Sequence, residues 1–283
     1  MGEPILVVKA SGEREEFYPE KLRRSLQGAG ASADAIDRIS GRIQAGLRDG
    51  MTTAEIYRDA FSMLKKEGRH FAARYSLRRA IMDLGPTGHP FEKFVGEILK
   101  TQGYVNVQVA KMVQGMCVAH EVDIVAEKEN RRIMVELKFH NAPGIRTDIK
   151  VALYVQARFE DIVKRWNHEP SHGIQFHEAW LMTNTKLTSE AIAYGKCVGM
   201  NVIGWNYPSG GSLRYLVERS GLHPITSLTT LTKVDKAKLL DRGFVICTDL
   251  KKDGNVLMSL GLSETKLKEV VKEIDELCIQ RSV

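Results

Sequence analysis

The sequence predicts an α/β core, a mixed central sheet flanked by helices, set between two mostly helical segments. Apolar and other residues alternate with period two over 133–139, as in a strand with one buried face. Strand-like and helix-like runs follow one another between residues 91 and 205, whereas helical runs dominate 19–84 and 224–283. Two Gly- and Pro-containing clusters, Gly85-Pro86-Thr87-Gly88-His89-Pro90 and Gly221-Leu222-His223-Pro224, punctuate the borders of the middle region. They divide the 283 residues into expected domains over 1–86, 88–221 and 222–283, a length too great for most single cores.

In the first segment, 5–9 reads as a strand and 13–17 as its hairpin partner. Helices are expected over 19–27, 33–47, 53–66 and 70–84. Pro19 suits a first helical turn, where its missing N–H costs nothing. Thr52 and Glu55 stand three apart before an amphipathic run, the spacing of a capping box. The middle segment opens with a helix over 91–101 that buries Phe91, Phe94, Val95, Ile98 and Leu99. Strands near 104–109, 121–126 and 132–139 lead to a long helix over 148–166. Two further strands, 178–182 and 201–205, enclose a helix over 189–197, and the last segment is expected to be wholly helical.

The formal net charge of +6 and a pI near 9.0 favour a polyanionic partner without specifying one. Cys117, Cys197, Cys247 and Cys278 stand singly in apolar contexts, which suits reduced thiols and a cytoplasmic protein. No apolar stretch is long enough to span a bilayer, and no signal peptide is expected. No Gly-x-x-x-x-Gly-Lys run occurs, which excludes a P-loop ATPase.

The chemistry is concentrated on two strands. On the run 133–139, Ile133, Val135, Leu137 and Phe139 share one face, and Glu136 and Lys138 project together from the other. Asp123 lies near the end of the expected neighbouring strand. Phosphodiester hydrolysis needs a hard cation held by oxygen ligands, and carboxylates on adjacent strands supply them. Lys138 beside such a cation would orient water and offset charge on the phosphorane. The same residues also fit an exposed ion pair on the solvent face of a half-buried strand.

Two helices bear on this choice. In the helix over 148–166, an apolar stripe through Ile149, Ala152, Leu153, Phe159 and Val163 places Gln156 within it, either satisfied by backbone or facing the charged strand. Glu92 lies at the margin of the buried face of the helix over 91–101, within reach of a site at its end. His120 and His140 bracket the acidic strands, as proton shuttles or, more in keeping with their setting, as satisfied structural histidines. His168, His172 and His177 with Glu169 read as solvated loop residues rather than zinc ligands.

The strings Phe91-Glu92-Lys93-Phe94-Val95, His120-Glu121-Val122-Asp123 and Val135-Glu136-Leu137-Lys138, with Gln156 beyond, resemble the PD-(D/E)XK restriction-endonuclease fold. The likeness is to its Mrr-type branch and, more broadly, to Holliday-junction resolvases. It extends through Ala179-Trp180-Leu181-Met182-Thr183-Asn184 and Gly204-Trp205-Asn206-Tyr207-Pro208. It implies that Asp123 and Glu136 bind Mg²⁺ or Mn²⁺ and that Lys138 is the catalytic lysine. Glu92 would be the accessory acid of the first helix, and Gln156 the glutamine of the helix after the core. Glu121 and Val122 stand in place of the nominal Pro before the Asp, a position that supplies no ligand.

Residues 1–84 are similar to the ATP-cone, through Val7-Val8-Lys9-Ala10-Ser11-Gly12, Glu15, Phe17, Glu20-Lys21-Leu22, Thr53-Ala54-Glu55-Ile56 and Ala72-Ala73-Arg74-Tyr75. That resemblance implies an ATP or dATP site lined by Val7, Lys9, Glu15, Lys21 and Thr53. Ala10 and Ser11 stand where that family usually has Arg and Asp. The run 256–263, followed by a helix bearing Lys266, Lys268 and Lys272, resembles a helix-hairpin-helix, with 222–249 a faint first copy. It implies DNA phosphate contacts at Gly261, Ser263 and Lys266, where backbone N–H groups meet a helix N-terminus. A plain helical packing module fits the same residues.

Together these readings give a Mg²⁺-dependent DNA endonuclease, governed by adenine nucleotide, expected as a homodimer and away from membranes. A non-catalytic, nucleotide-sensing DNA-binding protein and a structure-selective junction resolvase are the alternatives.

Overall fold

The computed structural model describes residues 5–168 and 175–278; Glu169 and His172 lie outside them. The described residues form two compact units, one of residues 82–222 and one joining residues 5–81 to 223–278.

The second of these begins with β1 (Leu6–Val8) and β2 (Arg14–Glu16), an antiparallel hairpin that sets Val7 opposite Glu15. Helices α1 (Pro19–Gly28), α2 (Ala33–Gly46), α3 (Thr53–Glu67), α4 (Arg69–Tyr75) and α5 (Leu77–Met82) follow. The Thr52 capping box forms in full: Thr52 Oγ1 accepts the Glu55 N–H at 3.1 Å, and Glu55 Oε2 accepts the Thr52 N–H at 2.8 Å. One helix was expected over 70–84; two are present, because Ser76 leaves helical geometry and its hydroxyl donates to the Ala73 carbonyl at 3.0 Å.

The C-terminal segment is helical in α10 (Lys233–Asp241), α11 (Asp249–Lys252), α12 (Gly254–Met258) and α13 (Glu264–Leu277), with a 3₁₀ turn at Ile225–Ser227. It is not wholly helical, since Pro224 and Ile246 form an antiparallel bridge. Its core takes in Ala73 of α4 beside Leu228, Leu239, Cys247 and Ile274. Arg74 donates to the carbonyls of Glu276 and Leu277 at 2.9 and 3.0 Å, so α4 caps the end of α13. Cys247 and Cys278, single in the sequence, pack in the same core here, and the Cys247 thiol donates to the Pro224 carbonyl at 3.3 Å.

In residues 82–222, α6 (His89–Thr101) precedes a five-stranded sheet in the order β3-β4-β5-β7-β9. The strands are β3 (Val105–Gln114), β4 (Ala119–Lys128), β5 (Arg131–Lys138), β7 (Phe176–Thr183) and β9 (Asn201–Ile203). β3, β4 and β5 are antiparallel, and β5, β7 and β9 run parallel. The connections explain the change. Glu129 and Asn130, both at positive φ, make the two-residue turn of a hairpin between β4 and β5. The parallel pairs need crossovers, which α7 (Ile149–His168) and α8 (Ser189–Val198) provide. β6 (Arg146–Thr147) and β8 (Lys186–Leu187) form a short separate parallel ladder, and α9 (Leu213–Ser220) closes the region. Neither the ladder nor α9 was expected from the sequence.

Helices cover both faces of the sheet. α6 lies on one, with Gly96 close to Val107, Val109 and Ile124. α7 and α8 cover the other through a core that includes Met134, Val155, Ile162, Leu181 and Ala191.

The buried stripe of α7 is Ala152, Val155 and Ile162, with Val151, Phe159 and Val163 at its edges. Leu153, expected in the stripe, is 46% exposed. At about 100° per residue, this centre puts Gln156 and Arg158 on opposite flanks of the stripe, each roughly 80° from its middle. Gln156 is therefore at a margin rather than at the centre.

Candidate active site

The site lies where two strands part. β4 and β5 pair from Lys128 opposite Arg131 as far as Ile124 opposite Val135. β5 then continues along β7, Glu136 opposite Leu181 and Lys138 opposite Thr183, while β4 continues along β3. Asp123 and Glu136 are the next residue on each strand. By alternation they share the α7-covered face with Val125 and Met134. Asp123 Oδ2 accepts the Leu137 N–H at 2.7 Å, a side chain doing what a ladder carbonyl does further along.

Glu136 is buried, and Arg158 from α7 reaches it with Nη1 2.6 Å from Oε1. The contact is one of charge: no guanidinium N–H points at Oε1, which is left without a directed hydrogen bond. Another Arg158 nitrogen donates to the Glu121 carbonyl, and the guanidinium lies 5.2 Å from the centre of the Tyr154 ring. Burial pushes the Glu136 carboxyl up to about 8; the Asp123 charge adds to this and Arg158 opposes it. Burial also raises Asp123 to about 6, against the Leu137 N–H, which lowers it. Glu92 raises both.

Glu92 stands in the first turn of α6, its carboxylate 3.3 Å from His89 Nδ1. A methyl group on Gly88 would meet Glu92 Oε1 at 3.3 Å and the Phe139 β-carbon at 4.0 Å, so this turn sits over the end of β5. Lys138 is exposed at the last position of β5, and its charge, after burial, holds His140 below the ordinary imidazole range. Gln156 is half-buried and donates to Glu160 of its own helix at 3.0 Å. The α7 side chain that reaches the carboxylates is Arg158, which the sequence reading did not single out. Its only signal was a basic residue three after Val155 and four before Ile162, on the flank of the buried stripe.

The two bracketing histidines have partners. His120 Nε2 lies 2.8 Å from Asp161, which also accepts the Cys117 and Val118 N–H groups and is held below the usual carboxylate range, first by His120. His140 Nε2 lies 3.0 Å from Thr147 Oγ1, and its backbone exchanges two hydrogen bonds with the Asn184 amide. Both are hydrogen-bonded within the fold. His177 Nδ1 accepts the Arg132 N–H, and His168 ends α7. Among the described residues no three His, Cys, Asp or Glu side chains gather as a ready-made metal cage.

In the other unit, Val7, Glu15, Lys21 and Thr53 line one cavity of about 270 Å³, with Tyr57 and Tyr75 on its wall. Lys9 is not among its lining residues and instead pairs with Glu15 at 2.8 Å and Glu13 at 3.2 Å. Lys21 is 3.4 Å from Glu15. Between α12 and α13, Gly261 adopts φ +72°, and Ser263 caps α13 by accepting the Lys266 N–H at 3.3 Å. Lys266 Nζ lies 3.9 Å from Glu269. The corresponding loop of the faint first copy is closed internally, because buried Glu273 accepts the Thr229 and Thr230 N–H groups at 2.7 and 2.9 Å.

Three family models match most of this arrangement. The ATP cone domain matches residues 5–84, a restriction endonuclease domain of the Mrr catalytic type residues 85–206, and an AF1548-like C-terminal domain residues 223–278. An uncharacterized protein of Archaeoglobus fulgidus is 39% identical over 183 residues, which are 63% of this chain and 97% of that protein. A crystal structure described as that of a protein of unknown function, AF1548, superposes with a TM-score of 0.55 at 35% identity. The match covers 68% of this chain and 98% of that one.

Proposed function

On the premise that the chain belongs to the family of the Archaeoglobus fulgidus protein and carries an Mrr-type restriction-endonuclease domain behind an ATP cone, we propose that it is a divalent-metal-dependent DNA endonuclease answering to adenine nucleotide. The observation that carries this reading is the pair of buried carboxylates, Asp123 and Glu136, at the point where β4 and β5 part. Two carboxyls raised by burial, Glu136 also by the Asp123 charge, are at their most stable as a pair when a cation stands between them.

The donor set fits Mg²⁺ or Mn²⁺. Mg²⁺ keeps several waters and takes one or two carboxylates from the protein, so a pair of acids suits it better than a closed cage would. Glu136 Oε1, which has a cationic neighbour in Arg158 and no directed hydrogen bond, is a donor of the right kind. A bound divalent ion lowers the pKa of water and offsets charge building on the phosphate. Asp123 and Glu136 would hold it, and the Leu137 N–H fixes the orientation of Asp123. Lys138, on the same strand face as Glu136, would orient the attacking water and stabilise the nonbridging oxygens. Glu92, on the α6 turn above the end of β5, adds negative potential that strengthens cation binding.

The remaining assignments belong to the same reading. The cavity lined by Val7, Glu15, Lys21 and Thr53 takes ATP or dATP, and the hairpin at Gly261, Ser263 and Lys266 contacts DNA phosphate. Supercoiled plasmid incubated with the whole protein should be nicked in Mg²⁺ or Mn²⁺ and left intact in EDTA. The activity should vanish in Asp123→Ala and Lys138→Ala. Tight DNA binding without cutting in either metal would overturn the enzymatic reading. Parallel arms with linear duplex, a four-way junction, and added ATP or dATP would define substrate and control.

A further inference from the structure

Once ionised, a carboxylate buried as Glu136 is needs a counter-charge, because an unpaired charge in that position costs several kcal/mol. In this protein the compensating charge comes from the chain itself. Arg158 extends from the flank of α7 until Nη1 lies 2.6 Å from Glu136 Oε1, with only 10% of either side chain exposed. Guanidinium–carboxylate pairs frequently form two parallel, directed bonds, one to each carboxylate oxygen. This one does not. Glu136 Oε1 receives no directed N–H, Arg158 Nε has no partner, and the second terminal nitrogen turns aside to the Glu121 carbonyl. The pair is close in charge and poor in directed bonds, so exchanging it for another cation loses little hydrogen bonding.

The guanidinium also has somewhere to remain. The Glu121 carbonyl and the ring of Tyr154, itself 61% exposed, hold it independently of Glu136. Release from the carboxylate therefore does not leave a buried, unpaired positive charge.

We propose that Arg158 is a resident counter-cation of this site: it occupies the cation's place against Glu136, and a divalent ion binds by displacing it. This rests on the reading of Asp123 and Glu136 as metal ligands. Its consequence is a nuclease core that folds without metal and takes up metal more weakly than its two carboxylates alone would allow. Arg158 is a positioning residue in this scheme, acting through Glu136.

The test is Mg²⁺ binding by titration calorimetry on the full chain without DNA, at about pH 8.5, where protons compete least for the ligands. Arg158→Gln should bind Mg²⁺ about tenfold more tightly than the unsubstituted protein, the factor that corresponds to roughly 1.4 kcal/mol of exchanged pairing. In the unsubstituted protein, the Nε–Hε nuclear magnetic resonance of Arg158, assigned by its loss in Arg158→Lys, should move in step with Mg²⁺ occupancy. That signal serves also if Arg158→Gln does not fold. Equal or weaker binding by Arg158→Gln, or a resonance that Mg²⁺ leaves unmoved, overturns the exchange while the metal site stands. Mg²⁺ uptake that Asp123→Asn does not diminish overturns the exchange and the metal-ligand reading together.

Discussion

The Asp123 carboxylate accepts the Leu137 N–H at 2.7 Å, across the gap that opens where β4 leaves β5. One candidate ligand is thus held by the backbone of the strand that carries the other ligand and Lys138. An asparagine carbonyl can accept the same N–H, so Asp123→Asn separates charge from structure. Its melting temperature in EDTA should stay within a few degrees of the parent. Its Mg²⁺-dependent nicking rate should fall by about 10²–10³-fold, the usual cost of removing one electrostatic element of a site. A variant that cuts normally would remove Asp123 from the proposed site.

Stability should depend on pH in a way set by the same carboxyls. Their folded values, about 6 for Asp123 and about 8 for Glu136, lie above the ordinary 3.8 and 4.5. Between those limits the native state holds more protons than the unfolded chain, so metal-free stability falls as pH rises from about 4 to 8. The loss is on the order of a few kcal/mol for two partly compensated groups. Mg²⁺ favours the ionised forms, so the stabilisation it confers should grow over the same window. Thermal melts at several pH values in EDTA and in Mg²⁺ check this; a constant difference between the two series contradicts it.

His120 is placed to hold a turn. Asp161 receives its ring together with the Cys117 and Val118 N–H groups, and a Cβ on Gly115 would run into the Asp161 carboxylate and lie 2.7 Å from the Val118 carbonyl. Gly115→Ala should therefore cost about 1–3 kcal/mol, as overpacking of a fitted site does. His120→Asn should lower the melting temperature yet leave the pH profile of nicking unchanged. A displaced profile would make His120 a proton carrier after all.

In the ATP-cone cavity, Lys21 is the lining ammonium, whereas Lys9 is engaged by Glu13 and Glu15. Lys21→Ala should weaken ATP or dATP binding by about tenfold or more, the worth of one charge-assisted hydrogen bond. Lys9→Ala should have the smaller effect. Calorimetry with each nucleotide measures both, and the reverse ranking would relocate the phosphates.

The sequence by itself determined the main run of elements and the acidic strands, though not the break at Ser76, the β6–β8 ladder or α9, because the former follow from local rules. Period-two alternation over 133–139 fixes which residues share a face, and Thr52 with Glu55 fixes a helix start within four residues. What it could not determine were relations between distant residues. The phase of α7 depends on which stripe the sheet accepts, and that choice put Leu153 in solvent and Arg158 against Glu136. The parting of β4 from β5, the meeting of Cys247 with Cys278, and the joining of residues 5–81 to 223–278 likewise arise from packing across the chain. Periodicity records that a face is buried; only the tertiary fold decides what it is buried against, and so which charge answers a buried carboxylate.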